Sequence, residues 1–521
     1  MYKKEGVWLM FQTMKRELLA GITVSVVALP LALAFGMQAT GNSDGAIIGL
    51  YGAIITGFFA ALFGGTKSQV TGPTGPITII FTGIVATQGL EYAFIAAFLG
   101  GLFQILFGIL KAGNYIKFIP LPVVSGFMNG IAIIIIMGQL QYVTGSFLVV
   151  LLTIIFMLVS IKWIKFIPPS LMALILGTVV VILLEKVVPA VHFTLPFIND
   201  FIFFDSVARI GEIPKGLPQF HLPVADLSTL IQLMPAALSI AVLGSIDSLL
   251  TSVVMDNMTG TKHKSNKELI GQGIGNTLAG LFGAMPGAGA TVRSVVNLRS
   301  GGQTAISAMV HSVALLLFML VFGPLAEEIP LAVLAGILIM TGITMFDYDS
   351  LKILKDEPRT DAAVMLVTMI LTVAIDLMVA VGVGIVMSAL IFMKRMSDEG
   401  FKINSKTKNS LNVYTLEGPL YFGATELITK TISSDNSHDI VIDLEKVTIV
   451  DASGALLLLQ LKDQLKERGQ NLYIVGNDLD LGGILRKMNI FQKFGATGHF
   501  NTMEELLLYL HNNNGEVLIP S

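Results

Sequence analysis

The sequence predicts a polytopic α-helical membrane domain followed by a soluble α/β domain. Three observations carry this. Only 13% of the 521 residues are charged while 53% are hydrophobic. Soluble domains carry about 25% charged residues, so this chain has too little polar surface to face water throughout. The apolar residues fall into runs of helix-spanning length. Charge gathers at the end: 27 of the 125 residues from 397 onward are Asp, Glu, Lys or Arg, against 42 of the first 396.

Composition also excludes several functions. There is no cysteine, hence no disulfide, thiolate metal site or thiol chemistry. A net charge of -3 offers no footprint for nucleic acid. Residues 1–16 are basic and precede a long apolar run without a small-residue cleavage site. They read as a cytoplasmic N-terminus, not a cleaved signal peptide.

The apolar cores cover 18–38, 46–64, 74–88, 92–110, 121–140, 147–163, 170–188, 230–252, 268–285, 290–298, 304–322, 330–346, 361–375 and 378–393. Short loops on the cytoplasmic side should be rich in Lys and Arg. With the N-terminus inside, the inner connections carry Lys67, Lys111, Lys117, Lys162, Lys165, Lys262, Lys264, Lys267, Arg299, Lys352, Lys355, Arg359, Lys394 and Arg395. The connections 40–45, 89–91, 141–146, 286–289, 323–329 and 376–377 carry none. The long 189–229 segment, with Arg209 and Lys215, lies outside. The alternation predicts fourteen spans with both termini in the cytoplasm.

Fourteen divides into repeats at 17–188 and 226–396. Seven spans per repeat force opposite topology, an inverted repeat. The third and tenth spans become counterparts, and both are short and interrupted: Thr71-Gly-Pro-Thr-Gly-Pro-Ile-Thr78 and Gly287-Ala-Gly-Ala-Thr-Val-Arg293. Paired broken segments at matching positions point to a transporter's binding site. Glycines that only permit close helix packing are the plainer alternative.

Two short helices whose N-termini meet inside a membrane present unpaired N–H groups and partial positive charge, which suits an anion. Pro73 and Pro76 fit a helix start. Thr74, Gly75, Ala290 and Thr291 are therefore candidate anion contacts through backbone N–H and hydroxyl. Arg293 either adds positive potential for the anion or forms a structural ion pair with Asp247. Thr251 lies four residues after Asp247, on the same helix face. With carbonyls of an unwound segment near Gly289 they make an oxygen-only site for a hard cation; alternatively, Asp247 takes a proton. Asp376 reads as a solvated loop carboxylate. His192, His221, His263 and His311 lack metal-ligand spacing. No Walker motif and no nucleophile–base arrangement is found, so neither ATP-driven transport nor an enzyme is expected.

In the tail, Leu411–Phe422 reads as two short strands around a Gly-Pro turn. Asp439–Leu444 and Asn471–Gly476 read as strands, and Ala455–Arg468 and Leu481–Met488 as helices, giving an α/β domain at 397–521.

These residues resemble a known family. The membrane part is similar to the SulP sulfate-permease family in Ala20-Gly-Ile-Thr-Val24, Ala28-Leu-Pro30, Ala34-Phe35, Gly72-Pro-Thr-Gly-Pro76 and Ile119-Pro-Leu-Pro-Val-Val-Ser-Gly-Phe-Met-Asn-Gly130. The tail resembles a STAS domain in Val441-Ile-Asp-Leu444 and Val450-Asp-Ala-Ser-Gly454. The resemblance implies a seven-plus-seven inverted repeat with core and gate domains, a cytoplasmic STAS domain open to a cytoplasmic partner, and a homodimer in the cell membrane. Gly244-Ser-Ile-Asp-Ser-Leu-Leu-Thr251, Asn266-Lys-Glu-Leu-Ile-Gly-Gln-Gly-Ile-Gly-Asn276 and Ala288-Gly-Ala-Thr291 look most like the sodium-dependent, bicarbonate-transporting branch known from cyanobacteria. That branch implies sodium at Asp247, Thr251, Gly289 and Thr291. It implies the anion at Thr74, Ala290 and Thr291, with Phe35 lining the site.

Three positions mark subtype. Many members have Glu where this chain has Asp247, Arg293 matches an arginine common in sulfate permeases and exchangers, and Leu31 stands where many have Gln. The expected function is secondary active transport of a small oxyanion by an elevator-like movement, bicarbonate with sodium first, sulfate or a dicarboxylate with protons second. An uncoupled anion channel or a STAS-linked sensor are the readings of another class. In STAS domains that act as anti-sigma antagonists a serine at the Asp-Ser-Ser-Gly turn is phosphorylated; here Ser453 is read as a helix N-cap.

Overall fold

The computed structural model describes residues 2–514 except 42–43, 116–119, 164–167, 188–190, 196–197, 205–206, 212–217, 219, 221–225, 349, 351–358, 376, 399–400, 409–410, 434, 436, 438 and 478–482. Asp376, His221, Lys117, Lys165, Lys215, Lys352 and Lys355 lie outside the described residues. The chain divides into two compact units, Met1–Ile385 and Val386–Ser521.

The first unit is helical. It begins with α1 (Tyr2–Thr40), α2 (Asp44–Phe63), the two-residue strand β1 (Thr71–Gly72), α3 (Gly75–Gln88) and α4 (Leu90–Ile109). Next come α5 (Leu121–Met137), α6 (Leu140–Gly145), α7 (Phe147–Trp163) and α8 (Pro169–Val187). A hairpin of β2 (Val191–Leu195) and β3 (Ile198–Phe204) opens the 189–229 connection. Then follow α9 (Leu227–Thr259), α10 (Ser265–Leu281), β4 (Ala288–Gly289), α11 (Thr291–Arg299), α12 (Ala305–Ala326), α13 (Leu331–Met345), α14 (Arg359–Ala374) and α15 (Leu377–Asp398), whose residues from Val386 onward fall in the second unit. Each apolar core of the sequence coincides with one of these helices. Among the described residues eight helical stretches are long and apolar enough to cross a membrane, α5 and α6 counting as one, and α3, α7 and α13 are apolar but shorter.

Helix α10 is less apolar because protein surrounds it. Glu268, Gln272 and Asn276 sit one turn apart on one face, each at most 1% exposed. On the α4 side its backbone comes close: a Cβ on Gly273 would lie 2.6 Å from the Gly101 carbonyl oxygen, and one on Gly280 2.5 Å from the Phe98 nitrogen. Small residues at such an interface let membrane helices pack. Large apolar side chains point outward instead on α8, α12 and α15, as at Leu183, Leu317 and Leu390, which is what a lipid-facing surface requires. Packing gathers α1–α4 with α9–α12, and α5, α7 and α8 with α13 and α14.

The second unit holds a sheet ordered β10-β9-β7-β6-β5, with β8 paired to β6. The strands are β5 (Lys402–Lys408), β6 (Leu411–Leu420), β7 (Asp439–Asp443), β8 (Val447–Val450), β9 (Asn471–Val475) and β10 (His499–Phe500). The helices are α16 (Thr425–Ser433), α17 (Ala452–Glu467), α18 (Ile484–Lys487), α19 (Ile490–Phe494) and α20 (Met503–Asn514). Leu416, Leu420, Ile428, Ile440, Ile442 and Leu458 form its dry centre.

Two expectations fail here. Leu411–Leu420 is one strand, not two around a turn. Gly418, at φ +98°, bends it where its partner changes from β7 to β8, so the glycine serves a bend and the chain does not reverse. The N-cap of α17 is Asp451, which accepts from Gly454 N at 2.8 Å. Ser453 is exposed, already inside the helix. Asp at this position outcompetes a serine two residues later because only the N-cap side chain reaches back to the free N–H groups.

Candidate functional site

The two interruptions meet. β1 runs antiparallel to β4, with Thr71 opposite Gly289 and Gly72 opposite Ala288. Ala290 N extends the ladder to Val70 O at 2.8 Å. A helix starts just after each strand, α3 at Gly75 and α11 at Thr291, so both helix N-termini leave one crossing. The crossing needs glycine, because a Cβ on Gly287 would sit 2.5 Å from the Gly72 carbonyl carbon.

Buried side chains fix this backbone as neighbouring strands would. Asn276 donates to Gly287 O at 2.9 Å and accepts from Gly287 N at 2.8 Å. Ser248 on α9 accepts from Gly289 N at 3.0 Å, and Ser294 on α11 accepts from Val70 N at 2.9 Å. Asn276, Ser248 and Ser294 did not emerge from the sequence reading. The four-residue spacing of Glu268, Gln272 and Asn276 is the signal that would have shown α10's polar face.

On one side of the crossing lie oxygens. Thr251 Oγ1 donates to Gly289 O at 2.8 Å and lies 2.7 Å from Thr291 Oγ1. Asp247 stands one turn earlier on α9. Its Oδ2 and the Oγ1 of Thr74, the N-cap of α3, are both buried without a hydrogen-bond partner. The Thr74 hydroxyl lies within reach of the Asp247 carboxylate, and the Arg293 charge is close to it. Asp247, Thr251, Gly289, Thr291 and Thr74 are thus brought together. Orphaned buried oxygens of one carboxylate and one hydroxyl, beside a carbonyl and two threonines, fit a hard monovalent cation.

On the other side lie N–H groups. Helix geometry leaves those of Gly75 and Ile77 on α3, and of Thr291, Val292 and Arg293 on α11, without carbonyls in their own helices. Two expected contacts change. The Ala290 N–H is spent on Val70 O, so the free N–H groups of α11 begin at Thr291. The missing Cβ of Gly75 faces Ile135, Ile131 and Met345; that glycine admits α5 and α13, while its N–H remains a donor. Phe35 is buried on α1 at 4% exposure, and α1 packs on α3, α11 and α13.

Arg293 does something the sequence did not suggest. Its Nη2 donates to Pro73 O at 2.5 Å, and Nη1 is buried without a partner, near where a Gly72 Cβ would be. Among the described residues no ion pair joins it to Asp247. The helix start explains this: Pro73 precedes the N-cap Thr74, so its carbonyl lies outside the bonding of α3, whose first bond runs from Thr78 N to Thr74 O, and the guanidinium satisfies it. Arg293 therefore ties α11 to the opposite interruption. His311 on α12, set aside for lack of metal spacing, is 0% exposed, with neither ring nitrogen hydrogen-bonded.

Two helices broken at one crossing inside an apolar helical domain are the kind of interruption that marks a transporter's site, and comparison with known proteins gives the family. The sulfate permease family model matches residues 14–147 and 141–368, and the STAS domain model matches 402–506.

The chain belongs to the sulfate permease family.

It is 36% identical to the bicarbonate transporter BicA of Synechocystis over 95% of this chain and 94% of that protein. It is 33% identical to the putative sulfate transporter YvdB of Bacillus subtilis over 95% of this chain and 97% of that protein. Among solved structures it is similar to the transmembrane domain of a cyanobacterium bicarbonate transporter BicA, with 42% identity and a TM-score of 0.64 over 71% of this chain and 98% of that one. This sulfate permease family member is thus a multi-pass membrane anion transporter with a C-terminal STAS domain, not an enzyme.

Proposed function

We propose that the chain is a sodium-coupled bicarbonate symporter of the cell membrane. The observation that carries this is the single point where two helix N-termini meet the oxygen set of Asp247, Thr251, Gly289 and Thr291. The anion accepts hydrogen bonds from N–H groups at the starts of α3 and α11, beside Thr74 and Thr291, with Phe35 as an apolar wall. Sodium is held by Asp247 and the neighbouring oxygens. Each ion lowers the cost of burying the other, since opposite charges a few Å apart attract strongly in a low dielectric. That mutual dependence is the coupling.

The same reading has residues 17–396 cross the membrane fourteen times as inverted repeats 17–188 and 226–396, with residues 1–16 and the STAS domain 397–521 in the cytoplasm. Packing supports the repeat. Matching first-half to second-half helices in order exchanges the pair α1–α12 with α9–α4, and the pair α2–α12 with α10–α4, and all four pairs are in contact. The α1–α4 and α9–α12 cluster carries the site and moves as an elevator against the other cluster. The protein works as a homodimer, and the STAS domain offers its surface to a cytoplasmic partner.

A second reading, proton-coupled sulfate or dicarboxylate symport, rests on the buried charge of Arg293 and on Asp247 as a proton acceptor. Purified protein in proteoliposomes decides. Bicarbonate-dependent uptake of radiolabelled sodium at symmetric pH is expected. Sulfate accumulation driven by a pH gradient alone, without sodium dependence, would refute sodium–bicarbonate symport and favour the second reading. Equilibration without accumulation would indicate a channel, and no uptake at all a sensor.

A further inference from the structure

Behind the cation side of the crossing lies a second buried carboxylate that the transport reading leaves unused. Glu268 on α10 is 1% exposed and accepts four N–H donors. Gly65 N and Thr66 N each donate to Oε2 at 2.8 Å, and Gln69 Nε2 and Gln272 Nε2 donate to Oε1 at 2.9 and 2.8 Å. Among the described residues it forms no ion pair. A carboxylate so solvated by the protein stays in place as a fixed acceptor.

What Glu268 fixes is Gln69. The amide of Gln69 stands against the site: a Cβ on Gly289 would lie 2.2 Å from its Nε2. Its Oε1 accepts from Ser252 Oγ at 2.9 Å, and Ser252 follows Thr251 on α9. The loop that delivers Gln69 holds an unfavourable conformation, with Ser68 at φ +55°. Asn297 secures it by donating to Ser68 O at 2.9 Å. Residues outside the left-handed region's usual Gly and Asn persist there only when their surroundings hold them.

We propose that Glu268 and Gln69 are positioning residues for the coupling cation. Glu268 orients the Gln69 amide, and Gln69 with Ser252 forms the wall that sets the Gly289 carbonyl against the Thr251 hydroxyl. The inference rests on the sodium-coupled reading. It names why a carboxylate outside the ligand set is buried beside it: a cation site built from the Asp247 carboxylate, one carbonyl and two hydroxyls depends on their spacing, and a shift of a few tenths of an ångström changes affinity more than it changes folding.

The test uses the full chain in proteoliposomes, reading the half-saturation for sodium and for bicarbonate separately, with thermal melting alongside. Glu268→Gln places an NH2 where Glu268 only accepted. It is expected to raise the sodium half-saturation about tenfold or more, with the bicarbonate half-saturation at saturating sodium changed less than about twofold. Ser252→Ala removes the hydroxyl that meets Gln69 Oε1, Thr66 Oγ1 and Ser248 O but leaves all four donors to Glu268 in place, so it serves even if Glu268→Gln does not fold. It is expected to raise the sodium half-saturation about threefold at an unchanged melting temperature. Unchanged sodium half-saturation in Ser252→Ala, or parallel loss of both affinities with a lowered melting temperature in Glu268→Gln, would overturn the proposal while leaving sodium coupling standing. Sodium-independent wild-type uptake would instead overturn the coupling reading, and this inference with it.

Discussion

Gly287 offers the sharpest test of the crossing. Replacing it by alanine puts a Cβ 2.5 Å from the Gly72 carbonyl carbon, 2.6 Å from its oxygen and 2.8 Å from its Cα. All three are backbone atoms, so no side chain can swing away. Restoring ordinary contact at about 3.5 Å requires β1 and β4 to separate by about 1 Å. The bonds from Asn276 to Gly287, now 2.9 and 2.8 Å, would then stretch past hydrogen-bond range. Each buried group left unpaired costs about 1–3 kcal/mol, so the loss is about 2–6 kcal/mol. Part of it falls on the bound state, because both helix N-termini leave this crossing. With about 1.4 kcal/mol per decade, half-saturation for anion and sodium should each rise at least about tenfold in proteoliposome uptake. Gly83→Ala is the control: an added Cβ on that exposed glycine of α3 would meet nothing within 4 Å, and alanine there should be neutral or stabilising by up to about 1 kcal/mol. Wild-type half-saturation in Gly287→Ala would refute the claim that the β1–β4 contact sets the site.

Three further predictions concern charge and burial. Asp247→Asn should abolish sodium-driven accumulation in the same uptake assay while the protein still folds and reaches the membrane. Arg293→Ala should let sodium cross without bicarbonate, because the Asp247 charge loses its compensation and sodium alone then neutralises the site; Arg293→Lys, which keeps the charge, should not leak, and sodium flux without anion reads the difference. In the STAS domain, burial and then the hydrogen bond to Asp435 push the Tyr414 hydroxyl up from 10.0 to about 12. A folded value above the unfolded one adds stability below about pH 10 that is lost as pH rises toward 12, so alkaline unfolding of this domain should be shallower in Tyr414→Phe, measured by hydrogen exchange in the intact protein.

The meeting of the two interruptions was legible because broken spans announce themselves. Thr71–Thr78 and Gly287–Arg293 interrupt apolar runs with glycine, proline and hydroxyls, and topology alone pairs them. The structure adds the register, Thr71 against Gly289, which no composition rule supplies. What the sequence hid were contacts made at long range by ordinary-looking residues. Asn276 and Ser248 act only because α10 and α9 pack beside β4, and Gln69 only because Ser68 turns it inward. Of the two roles open to Arg293 in the sequence, the ion pair with Asp247 is not formed among the described residues; the guanidinium bonds the Pro73 carbonyl, a backbone partner that residue type and spacing do not reveal. In the tail, β5 was missed because Lys402–Lys408 is an exposed edge with no apolar alternation, and the Gly418 bend imitated a turn because Gly-Pro marks both.

The charge count of the crossing argues for a one-to-one sodium–bicarbonate stoichiometry. A core that shuttles through a membrane must cross both loaded and empty, and a net charge in either state is costly in low dielectric. With Asp247 ionised, the nearby Arg293 cancels it, although the two do not touch, and the guanidinium's hydrogen bond goes to Pro73 O. The empty core is therefore near neutral apart from the two helix ends, about half a positive charge each. Loading one sodium and one bicarbonate adds nothing to that sum, so the loaded and empty cores face the same barrier. One proton with a sulfate would leave the loaded core more negative by a full charge, and neutrality would demand a second cation. The described residues place one oxygen set against the crossing, around Asp247. In the proposed symport Arg293 is then both the strut that holds the Pro73 carbonyl and the counter-charge that keeps the empty core near neutral.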